Sequence, residues 1–164
     1  METKKQTKDF VFKPTKELIE FADFFSNNWK NLSVGTYKSK KDKYTIKFED
    51  KILDKHSKKE YSTNIRVGLS SGIIEVSKSK LLALESNPDY VFFMVLWCAV
   101  EYNLKSNIQS DIITLKYYLK TGRSVKNIML GYTSLFKRVP YTGNVIRMQK
   151  IMDYIEEFET KKIK

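Results

Sequence analysis

The eleven residues from Tyr90 to Val100, YVFFMVLWCAV, are the longest apolar run in the chain, and their reading decides the fold. As a helix they cover about 16 Å, roughly half the hydrocarbon thickness of a bilayer. A segment apolar on nearly every side and too short to span a membrane is the central helix of a packed domain. Asn87 or Asp89 starts it and it runs to about Asn103, with Phe92, Val95, Leu96 and Ala99 in the core.

Working back from this helix, Ile65, Val67 and Leu69 alternate with Arg66 and Gly68, and Ile73, Ile74 and Val76 follow Ser70-Ser71-Gly72. Two alternating runs joined by a Gly-containing turn predict a hairpin. Ser77 can cap a short helix that stops before Pro88. Tyr44, Ile46 and Phe48 predict a further half-buried strand, and HSKKEYST at 56–63 reads as a mobile loop. Leu18, Phe21, Ala22, Phe25 and Trp29 recur at helical spacing, so 14–30 is an amphipathic helix with Pro14 in its first turn. Ile19 and Phe24 widen its apolar face. Residues 1–13 read as a tail with no apolar segment of the kind a secretory signal carries.

Forward of the run, a polar linker leads to a helix over about 108–120, stopped at Gly122. Ser124 caps the next, whose stripe is Val125, Ile128, Met129, Tyr132, Leu135, Phe136 and Val139, ended by Pro140. Val145, Met148, Ile151, Met152 and Ile155 mark a last one. The prediction is a single α+β domain over 14–164: a small antiparallel sheet packed on a mainly helical half.

Composition bounds the chemistry. The chain has 164 residues, one Cys (Cys98), one His (His56) and a net charge of +11. No intrachain disulfide can form, and any site needing two histidines is excluded. No phosphate-binding glycine loop, dinucleotide fingerprint or G-x-S-x-G elbow is present. The carboxylate pairs Glu49-Asp50 and Glu156-Glu157 sit in charged stretches. Residues 105–150 carry nine basic side chains against Asp111 alone, and residues 38–59 carry nine Lys against four acids. Such a field attracts an acidic protein or nucleic acid, and it also serves solubility.

The order of parts is specific. A hairpin I-x-V-x-x-x-x-G-x-I leads to a short helix, a buried helix, a linker, a helix with S-D-I-I-T-L (110–115), then T-G-R-S-V-K-N (121–127) and a closing helix pair. Over about 62–158 this order resembles the small zinc peptidase-like proteins of tailed bacteriophages, which are related to the gluzincin peptidases. In that family the buried helix carries H-E-x-x-H and the next carries E-x-x-A-D. Two imidazoles at i and i+4 share a Zn²⁺ while the intervening Glu serves as general base.

The resemblance places Trp97 at the first ligand position, Cys98 at the general base, Glu101 at the second ligand and Asn107 at the third; only Asp111 is retained. Trp97 cannot ligate. Cys98, Glu101 and Asp111 are the remaining donors, and Cys98 and Glu101 at i and i+3 need an unusual geometry to share an ion. Each also has a structural reading: Cys98 and Trp97 as core, Glu101 paired with a Lys or Arg, Asp111 as a cap or as partner of Arg123 or Arg147. His56 reads as a solvated side chain.

The resemblance thus implies a zincin-like domain without metal, cofactor or peptidase activity: a non-enzymatic interaction or structural protein, with the host cytoplasm or a virion ring, connector or tail as its setting. Partners are expected to be an acidic protein or virion subunits, with no membrane and with oligomerisation inside an assembly. Arg123, Lys126, Lys137 and Arg138, off the apolar stripe of the 124–139 helix, are the candidate contacts. The alternative is a basic nucleic-acid-binding protein that offers Lys126 and Asn127 at a helix start. An active metallopeptidase ranks last.

Overall fold

The computed structural model describes residues 12–129 and 142–162. Lys137, Arg138 and the second half of the predicted 124–139 helix lie outside them. Helix α1 (Lys16–Asn28) begins two residues later than Pro14 suggests, because the Thr15 hydroxyl accepts the Leu18 amide at 3.2 Å and makes Thr15 the cap. Its stripe Leu18, Phe21, Ala22 and Phe25 is buried, and Trp29 is buried in the short 3₁₀ turn that follows. Phe24 departs from the expected apolar face: it is 48% exposed.

Four strands form one sheet: β1 (Gly35–Lys38), β2 (Thr45–Glu49), β3 (Ile65–Val67) and β4 (Ile74–Ser77), in the order β1-β2-β4-β3. β1 and β2 are antiparallel, as are β3 and β4, but β2 and β4 run parallel. The sheet is therefore mixed, which corrects the expected all-antiparallel sheet. The cause lies in residues 50–64, which carry the chain from the end of β2 past one strand position. The β3–β4 hairpin then returns β4, with Ile74 and Val76 buried, into the vacant central place. The Asp50 carbonyl secures the crossing by accepting the Ser79 amide at 3.1 Å and the hydroxyls of Ser77 and Ser79 at 3.0 and 2.8 Å.

One sheet face buries Ile46, Phe48, Ile74 and Val76; the other carries Lys47, Glu49, Arg66 and Glu75, so the alternation of period two holds on every inner strand. Phe48 meets Phe25 of α1 edge-on at 5.2 Å. The loop after β2 is organised where mobility was expected. The Asp54 carboxylate accepts the amides of His56 and Ser57 and the Tyr61 hydroxyl, and Leu53 bridges to Glu60.

Ser77 caps α2 (Lys78–Ala83), and Asn87 caps α3 (Pro88–Leu104), accepting the Tyr90 amide at 2.8 Å with Pro88 in the first turn. α3 is the central helix: Tyr90 to Leu96 and Cys98 to Glu101 are buried, and it packs on α1, on strands β3 and β4, and on α4 (Asn107–Lys120). Ser124 caps the helical residues 125–129 (α5), and α6 (Thr142–Lys162) packs on α4. Among the described residues no helix is long and apolar enough to cross a membrane.

Candidate functional site

The last two turns of α3 face the first turns of α4, and α6 closes the gap from outside. This is where Trp97, Cys98, Glu101, Asn107 and Asp111, the positions singled out by the resemblance, fall. Trp97 and Glu101, at i and i+4, share one face of α3. Across from them Asp111 is 1% exposed and Ser110 fully buried.

The contacts form a network. The Trp97 indole N–H donates to Asp111 Oδ1 at 2.8 Å. Arg147 of α6 meets the same carboxylate with two parallel bonds, Nε to Oδ2 at 2.7 Å and Nη2 to Oδ1 at 2.8 Å. The guanidinium also lies over the Trp97 ring, 5.7 Å from its centroid. One step along, the Ser110 hydroxyl donates to Glu101 Oε2 at 2.7 Å. A fork-shaped donor matched to a carboxylate is among the stronger polar contacts available, and it fixes orientation as well as energy. This pair answers the sequence alternatives for Asp111: its partner is Arg147.

Two charges of unequal standing result. The Arg147 fork neutralises Asp111. Burial pushes the Glu101 carboxyl above its ordinary value of 4.5 and nearby Asp111 adds to that, while the Ser110 hydrogen bond and Arg147 pull it back. Cys98 points elsewhere, fully buried. Burial, reinforced by Glu101, pushes its thiol well above the ordinary range, which disfavours the thiolate that a ligand or nucleophile needs. Asn107 is exposed at the start of α4. Among the described residues no three His, Cys, Asp or Glu side chains are grouped to hold a metal ion. The structure thus brings Trp97, Glu101 and Asp111 together and leaves Cys98 and Asn107 out. In the sequence Ser110 stands only as the first residue of S-D-I-I-T-L, with no role assigned to it.

Of the candidate contacts, Lys126 is exposed, whereas Arg123 is engaged inside the fold. Its guanidinium bonds to Asp23 of α1, donates to Asp89 of α3 at 3.0 Å and stacks on the Phe92 ring at 4.0 Å. Asn127 Nδ2 donates to Asp89 Oδ2 at 2.9 Å, so the amide offered for reading base edges is also bound internally. His56 is exposed, as expected.

Compared with protein-family models, curated proteins and solved structures, this chain finds no match.

Proposed function

We propose that the chain is a non-enzymatic interaction protein in which the α3–α4 stretch aligned with a zinc motif serves as a structural lock. The observation that carries this reading is the engagement of Asp111: Trp97 and both arms of Arg147 donate to its two oxygens. A carboxylate held this way ties three helices together. The resemblance to phage zinc peptidase-like proteins supplies the setting, a phage protein that works by its surface, with assembly into a virion as one outlet. The partner is acidic, in keeping with the net charge of +11.

The test pairs stability with activity. Arg147→Met removes the two-bond guanidinium partner of the buried Asp111 and costs about 3–5 kcal/mol. The wild-type protein is expected to show no chelator-sensitive hydrolysis of casein and no stoichiometric zinc by metal analysis. Such hydrolysis, or one zinc per chain, overturns the reading.

A further inference from the structure

Among the described residues β1 is an edge of the sheet, paired with β2 alone. The Ser39 amide donates to the Tyr44 carbonyl at 2.9 Å, and this pair continues the β1–β2 register. The Tyr44 amide returns a bond to the Ser39 hydroxyl at 3.0 Å, so the pair takes a bonded position, and in an antiparallel ladder bonded positions alternate with unbonded ones. Gly35 and Tyr37 therefore bond inward to β2, and the N–H and C=O of Thr36 and Lys38 point out of the sheet. Both residues are exposed, and among the described residues no strand lies against them.

Beside this edge runs a groove of about 340 Å³ between α1 and the end of β1, lined by Phe21, Phe24, Glu17, Glu20, Lys38 and Lys40. Phe24 is the large aromatic that the core leaves half-exposed. The acids in the groove are already engaged: Glu17 accepts the Ser39 hydroxyl at 2.6 Å and the Lys41 amide at 2.7 Å, and Glu20 lies 3.7 Å from Lys16 and 3.9 Å from Lys40. Around the strand and its hairpin turn Lys38, Lys40, Lys41, Lys43 and Lys47 are exposed, so the surroundings of the edge are positive.

From this juxtaposition we infer that β1 is a docking edge for an extended acidic peptide segment of a partner protein. The segment adds as a fifth strand, bonds to the main chain of Thr36 and Lys38, and sets an apolar side chain on Phe21 and Phe24. Main-chain bonds supply the affinity of such strand addition, and alternate side chains supply its specificity. The charge selects the occupant. A second copy of this chain would bring a second lysine-lined edge and another +11 against the first, and residues 1–11 carry three lysines against two acids. An acidic strand meets the field with opposite sign.

The inference rests on the interaction reading above, yet it fails separately, since that reading is judged by zinc and hydrolysis and this one by peptide binding. The probe is the capped peptide Ac-DVEFDVE-NH2, with the same sequence N-methylated at alternate residues and a Lys-for-acid version as controls, titrated into the full chain. The expected result is saturable binding of the acidic peptide, slowed hydrogen exchange at the Thr36 and Lys38 amides, and loss of both with the N-methylated and basic controls. Thr36→Pro removes an outward N–H while sparing the β1–β2 bonds, which is tolerated on an edge strand. It abolishes the exchange protection at the Lys38 amide, the outward N–H that remains. The double variant Lys38→Glu/Lys40→Glu, a surface change that leaves the core intact, weakens binding by about tenfold or more.

Equal binding of the N-methylated peptide, unchanged affinity in the double variant, or protection mapping away from β1 overturns the inference. So does protection of these amides in the peptide-free chain: concentration-dependent sedimentation then assigns the edge to a second copy, and its absence assigns the edge to the chain itself.

Discussion

Glu101 is buried against a single hydroxyl donor, Ser110, while its neighbour Asp111 has the full Arg147 fork. The two acids sit close together, and their environments separate them. Because the folded state raises the Glu101 pKa, the folded chain holds that proton more tightly than the unfolded one. The contribution of Glu101 is most favourable below its unfolded value of about 4.5 and is lost as pH rises through the raised folded value. Glu101→Gln keeps an oxygen to accept from Ser110 and removes the buried charge. Urea unfolding is expected to show this variant more stable than wild type at neutral pH, with the advantage vanishing near pH 4. An equal advantage at both pH values would place the effect in packing instead.

Among the elements, α3 carries the fold because it is buried on nearly all sides, with Leu96 fully inaccessible. Leu96→Asp places a charge there without a partner and is expected to cost about 3–5 kcal/mol. A thermal midpoint near wild type would remove α3 from the centre. The loop after β2 depends on one carboxylate. Hydrogen bonds from the Ser57 amide, the Tyr61 hydroxyl and the His56 amide hold Asp54 at about 2, below its ordinary 3.8. A depressed acid supports the folded loop above its unfolded value, and that support is lost as pH falls through about 2. At neutral pH, Asp54→Ala is expected to open the loop and speed tryptic cleavage after Lys55, Lys58 and Lys59. Cleavage at the wild-type rate would return the segment to the mobile loop that its Lys- and Ser-rich composition suggests.

At the scale of the whole molecule, the excess charge is distributed unequally between surface and interior. Arg123 and Arg147 are spent on internal contacts, whereas Lys105, Lys116, Lys120, Lys126 and Lys150 are exposed, together with the lysines of the β1–β2 hairpin. A chain at +11 repels itself in its compact state. Salt shortens the Debye length from about 30 Å at 0.01 M to about 8 Å at 0.15 M, which screens exposed charges far more than buried pairs. The thermal midpoint is therefore expected to rise over that range in scanning calorimetry. A fall would mean that attractive ion pairs outweigh the repulsion.

The sequence by itself determined the elements. Ser77 and Ser124 announced their helices, and Asn87 stood beside Asp89 as the start of α3, because a side-chain oxygen satisfies amides that the first turn leaves open. The 90–100 run declared a central helix, and the period-two runs declared strands β2, β3 and β4. These are local rules, readable within a few residues. β1 was missed because Gly35-Thr36-Tyr37-Lys38 is exposed on an edge and has too little apolar alternation to register. The mixed order of the sheet, the choice of Arg147 over Arg123 as partner of Asp111, and the Glu101–Ser110 pair were decided by tertiary structure. Each joins residues that no periodicity links: Arg147 reaches Asp111 across 36 positions, and Arg123 reaches Asp23 across 100. Which cation neutralises a buried carboxylate depends on which helix packs over it, and that is settled only when the apolar faces have found one another.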